Sequence, residues 1–125
     1  MDYGFRDDRW YGAFYGESAD DTLEVVCGRI LRDLRVDRAK ELLPRNSIYT
    51  VALVGTVITV NVYVTPGLAE SETDKTKIRD RVNVIADRYN WVSKTNESDV
   101  RYQVKCSVQP VRMSITSGVT GGLFG

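Results

Sequence analysis

Carboxylates are the side chains best placed for chemistry in this sequence, and they come grouped: Asp7-Asp8, Asp20-Asp21 and the set Glu70, Glu72 and Asp74. Converging acids can move protons or hold a metal ion. Adjacent residues do not face one another on a helix, however, so Asp20-Asp21 reads as a helix cap. Glu70, Glu72 and Asp74 read as the acidic start of a second helix. The chain has no histidine. That removes the commonest general base, the Ser-His and Cys-His nucleophiles and most zinc sites. Cys27 and Cys106 form no CxxC pair and fall on apolar faces, the pattern of two buried, reduced thiols. No GxxxxGK[ST] loop is present to cradle a phosphate, and Gly118, Gly121 and Gly122 lack a strand–helix setting. The expectation is a non-enzymatic protein with no cofactor and no metal.

Two further groupings suit recognition. Tyr3, Phe5, Trp10, Tyr11, Phe14 and Tyr15 crowd the first 16 residues, interleaved with Gly, Asp and Arg. Tyr, Trp and Arg dominate interface hot spots, which makes Arg9, Trp10, Tyr11 and Tyr15, with Arg6 beside them, a candidate partner-binding set. The same aromatics could instead cover a sheet edge or the second helix, or add as a strand to another copy and form a homo-oligomer. Trp91 would join whichever cluster forms. The second grouping alternates: Arg101, Gln103, Lys105, Ser107 and Gln109, with Arg112 beyond. Alternate strand residues recur about every 7 Å, a spacing that can follow a phosphate backbone. It is also how any antiparallel strand looks with one face in water, and the stripe lacks stacking aromatics. Lys+Arg and Asp+Glu both number 17, so no net positive charge draws the chain to nucleic acid. Nucleic acid is therefore the alternative partner and another protein the favoured one.

The elements that must position these groups are largely readable. Gly55-Thr56 fits a two-residue II′ turn between Ile48–Val54 and Val57–Val64. The short turn sets Val54 opposite Val57, Leu53 opposite Ile58, Val51 opposite Val60 and Tyr49 opposite Val62. Tyr49, Val51 and Leu53 then share an apolar face with Ile58, Val60 and Val62. Leu23, Cys27, Ile30, Leu31 and Leu34 form the stripe of a first helix starting near Asp20 or Asp21, extended by Ala39, Leu42 and Leu43 until Pro44 stops it. Gly28 lies inside it, either tolerated at about 1 kcal/mol or marking close packing. Ser71 or Thr73 caps a second helix with the stripe Ile78, Val82, Ile85, Tyr89 and Val92. Val100, Tyr102, Val104, Cys106 and Val108 then define a strand with one buried face, which Pro110 interrupts and Val111, Met113 and Ile115 continue.

The order is (β)-α-β-β-α-β, with Trp10–Tyr15 as the optional first strand. This gives an α+β, two-layer fold: an antiparallel sheet with two helices on one face. With the first strand in place it matches a ferredoxin-like plan; without it, the sheet is KH-like or phage tail-terminator-like. Residues 1–16 form an arm or first strand, 17–116 a single domain and 117–125 a glycine-rich tail.

Short segments, Ile30-Leu31-Arg32-Asp33-Leu34-Arg35, Ser47–Val51, Ile58–Val62 with Pro66-Gly67, Ile85–Asn90 and Ser98-Asp99, resemble small accessory proteins of actinobacterial phages and plasmids. They also resemble polyvalent-protein-associated domains of mobile elements. The resemblance implies a mobile-element accessory protein and supplies no catalytic residues. With it, three functions are expected in turn: binding to another protein, including a host factor; binding nucleic acid through Arg101, Gln103, Lys105 and Arg112; or service as a head–tail or tail component of a virion. The N-terminal sequence lacks a signal-peptide pattern and no apolar run suits a membrane span, so the expected location is cytoplasmic, in the host if phage-encoded.

Overall fold

A computed structural model of the chain describes residues 5–111. In chain order the elements are β1 (Arg9–Tyr11), α1 (Tyr15–Ser18), α2 (Leu23–Ala39), β2 (Ile48–Val54), β3 (Val57–Val64), α3 (Pro66–Glu70), α4 (Glu72–Ala86), a 3₁₀ turn (Asp87–Tyr89), β4 (Trp91–Ser93) and β5 (Gln103–Pro110).

The β2–β3 hairpin has the register its turn demands, with Val54 opposite Val57 and each earlier residue paired in step to Ile48 and Tyr63. Gly55 has φ of 62° and Thr56 is not at positive φ, the combination a II′ turn needs. The inward row of β3, Ile58, Val60, Val62 and Val64, is fully buried, because it is the central strand of a three-stranded sheet in the order β2-β3-β5. Helices α2 and α4 lie against this face through Val26, Ile30 and Leu34 on one and Ile78, Val82 and Ile85 on the other. The fold is thus α+β in two layers with both long helices on one side. Each buried Val, Leu or Ile contributes about 1.5–3 kcal/mol against leaving it in water.

Several expectations are corrected. β5 runs parallel to β3, from Val57 opposite Gln103 to Val64 opposite Pro110, so the sheet is mixed and not antiparallel throughout. The cause is the position of the first strand. β1 covers only Arg9–Tyr11 and pairs with β4 in a separate ribbon. In a ferredoxin-like sheet it would lie between β3 and β5, a place closed here by their direct pairing. The first helix is capped by Thr22, whose hydroxyl accepts from the Val25 N–H, and not by Asp20 or Asp21. It ends at Ala39, ahead of the stop expected at Pro44: the chain turns through Glu41 at φ of 63°, and only Leu43 of the expected extension is buried. Ser71 caps α4 as expected, accepting from the Asp74 N–H. The helix stops at Ala86; Tyr89 completes its stripe from the 3₁₀ turn, whereas Val92, expected to extend it, lies in β4 opposite Trp10 and does not join the core. Gly28 has open space around its Cα, so it marks no close packing. Arg112, Met113, Ile115 and the 117–125 tail lie outside the described residues.

Candidate functional site

The aromatic N-terminal segment divides in two. β1 pairs with β4 so that Trp10 faces Val92 and Tyr11 faces Trp91. Val92 is bridged in turn to Val100, and the register lines Trp10, Val92 and Val100 up across the ribbon. Trp10 remains 62% exposed, with the Lys94 ammonium 4.5 Å from its ring centre. Arg9 lies on the opposite face, its guanidinium 3.4 Å over the Trp91 ring. Tyr11 and Tyr15 turn inward instead. Their rings pack at a tilt, 4.8 Å apart, with Phe5 against both, and Tyr15 is buried. Of the expected binding set, Arg9 and Trp10 therefore belong to the surface, Tyr11 is half-buried at its margin, and Tyr15 is part of the interior.

Gly12 fixes how the ribbon meets the body of the protein. Its N–H donates to the Asn90 carbonyl and the Phe14 N–H to the Arg88 carbonyl, both at 2.8 Å. A Cβ on Gly12 would sit 2.1 Å from the Asp87 carbonyl oxygen, so only glycine allows this approach.

The basic stripe also divides. The strand begins at Gln103, and Arg101, two residues earlier, leaves the alternation. Its guanidinium donates to the Ser18 carbonyl at 2.6 Å, the Ser18 hydroxyl at 2.9 Å, the Tyr89 carbonyl at 2.8 Å and the Asp21 carbonyl at 3.1 Å, beneath the Tyr15 ring. Arg101 is a clamp joining α1, the start of α2 and the 3₁₀ turn, and is corrected from phosphate-facing residue to structural one. Gln103 and Lys105 do face outward and are exposed, while Ser107 donates to Asn61 across the open face of the sheet.

Parts of both groupings meet in one place, with Arg9 left outside it. Trp10, Tyr11, Trp91, Val92, Gln103 and Lys105 line a groove of about 730 Å³ between the ribbon and the β5 edge. Asp87 and Glu97 also line it, so its walls carry both signs of charge.

The acidic groups do not converge. Asp8 pairs with exposed Arg6, Asp21 with Arg29, and Glu72 with Lys75, which holds the Glu72 carboxyl below its ordinary range. Among the described residues no three of His, Cys, Asp and Glu come together. Two acids not singled out in the sequence are buried: Asp33 and Asp37, on the inner side of α2. Asp37 accepts from Arg81 of α4. Asp33 accepts from the Tyr89 hydroxyl, lies 3.1 Å from Arg32 and is reached by Arg88 at 3.4 Å. Burial, reinforced by Asp33, pushes the Tyr89 phenol up to about 12. A signal for these acids was present: Asp33 and Asp37 each stand three residues after a core position, Ile30 and Leu34, where a carboxylate needs a cation facing it. Both cysteines are free; burial raises the Cys27 thiol and pushes Cys106 up to about 11.

No helix among the described residues is long and apolar enough to cross a membrane. Compared with protein-family models, curated proteins and solved structures, the chain matches none. The groove and its ribbon are therefore read from their own chemistry.

Proposed function

We propose that this chain is a small non-enzymatic accessory protein, of the phage or mobile-element kind, that binds another protein in the groove between the β1–β4 ribbon and β5. The observation that carries this reading is Trp10, a large indole left mostly in water on a short paired strand. Exposing it costs apolar burial that the fold does not recover, and a central Trp flanked by cations is the composition of an interface hot spot. The charge around it favours a protein partner over a polyanion. Lys94 and Lys105 are accompanied by Asp87 and Glu97, while the charge of Arg101 is held inside by carbonyl oxygens. A host factor is the partner class that fits such an accessory protein.

Photo-crosslinking tests the reading. A photoreactive phenylalanine analogue replaces Trp10 in one variant and Val84, exposed on α4, in another. The expected result is a discrete protein adduct from position 10 and none from position 84. Equal or absent adducts at both would count against the groove. Capture of DNA or RNA that weakens steeply with salt would assign the surface to nucleic acid instead.

A further inference from the structure

The two edges of the β2-β3-β5 sheet are unlike. β5 carries Lys105, ends in Pro110 and packs against α3, all features that discourage a further strand. β2 reads Ile48-Tyr49-Thr50-Val51-Ala52-Leu53-Val54, with no charge, proline or glycine, and among the described residues it pairs with β3 alone. In a hairpin with a two-residue turn, Val54 and Val57 form a hydrogen-bonded pair. Alternation then aims the N–H and C=O of Ile48, Thr50, Ala52 and Val54 at β3. Those of Tyr49, Val51 and Leu53 point off the edge of the sheet, where no described residue pairs with them.

We propose that β2 pairs antiparallel with β2 of a second copy about a two-fold axis at Val51, joining two three-stranded sheets into one. The register follows from the strand. With Val51 opposite itself, Tyr49 meets the partner's Leu53, and every outward N–H and C=O of Tyr49, Val51 and Leu53 finds its complement. A shift by two residues one way would require Ser47, whose N–H and C=O are already bonded to Pro44 and Arg38. A shift the other way would require Gly55, which sits in the turn. On the open face the same register sets Ile48 opposite the partner's Val54 at both ends and Thr50 opposite the partner's Ala52 between them. Ile48 and Val54 are 53% and 70% exposed in the single chain, so each covers the other's apolar surface. Inward-facing Val51 and Leu53, only half-buried at the edge, gain cover as well. No charged side chain is brought against its copy. The strand is its own complement, which is why the occupant is a second copy of this chain. The groove beside Trp10 lies along the other edge, so the two surfaces are separate.

Sedimentation equilibrium of the full chain tests this. The unaltered protein is expected to dimerise reversibly. Thr50→Glu/Ala52→Glu places acids opposite acids across the axis, on exposed positions that leave the core intact. It should weaken the dimer by about tenfold, as two like-charge cross-strand pairs would. Thr50→Lys/Ala52→Lys should weaken it similarly, and mixing the two variants should restore association. Circular dichroism confirms that each variant is folded. A monomer at all concentrations, or a dimer that neither variant weakens, would overturn the proposal.

Discussion

The guanidinium of Arg101 grips both the carbonyl and the hydroxyl of Ser18, a residue 83 positions away in the chain. Ser18 is fully buried, and although its carbonyl also accepts from the Asp21 N–H at 2.9 Å, removing Arg101 takes away the side-chain donor shared by the Ser18, Asp21 and Tyr89 carbonyls. Arg101→Ala should therefore destabilise the protein by about 2–4 kcal/mol, the cost of stranding buried acceptors. Lys105→Ala, a few residues along, should change stability by less than about 0.5 kcal/mol. Urea denaturation midpoints of the two variants make the comparison; equal effects would place both residues in water.

Two glycines should respond in opposite directions. Gly12→Ala drives a methyl into the Asp87 and Arg88 carbonyl oxygens, 2.1 and 2.4 Å away, and neither backbone group can swing aside. A loss of about 2 kcal/mol or more is expected, with the ribbon detached from the 3₁₀ turn. Gly28→Ala meets open space within α2 and should stabilise by about 0.5–1 kcal/mol. Thermal melts of both read the signs directly.

Alkaline pH should weaken the fold through groups that hold their protons longer when folded. The Tyr89 phenol, pushed from 10 to about 12 by burial and Asp33, stays protonated in the folded chain after the unfolded chain has released its proton. Its contribution is whole below pH 10 and declines between pH 10 and about 12, by about 1.4 kcal/mol per pH unit. Cys106, raised by burial from 9 to about 11, starts a similar decline earlier. Denaturation midpoints across this range should fall, and Tyr89→Phe should flatten the slope above pH 10.

The hairpin was legible to the residue because a two-residue turn permits one register and alternation fixes its faces. The direct pairing of β5 with β3 was not: the alternation of β5 is the same beside any neighbour, and only the exclusion of β1 from between them brings these two parallel strands together. Arg101 misled for a related reason. It keeps step with Gln103 and Lys105 in sequence, but the regular strand starts after it, so a bend turns its side chain toward α1. Trp10 and Arg9 were singled out from composition, and both lie at the surface. Tyr15 was not separable from them, since an aromatic suits an interface and an interior equally well until its neighbours are known. Asp33 and Asp37 could have been found, because acids at core spacing on a helix call for cations on whatever packs there.

The most direct test of the account compares partner capture by the unaltered protein, Trp10→Ala and Val84→Ala, with folding matched by circular dichroism. Trp10→Ala should lose partner affinity by about 30-fold or more, the weight of a central hot spot, while Val84→Ala binds as the unaltered protein does. Undiminished binding by Trp10→Ala would contradict the assignment of the ribbon groove as the docking surface.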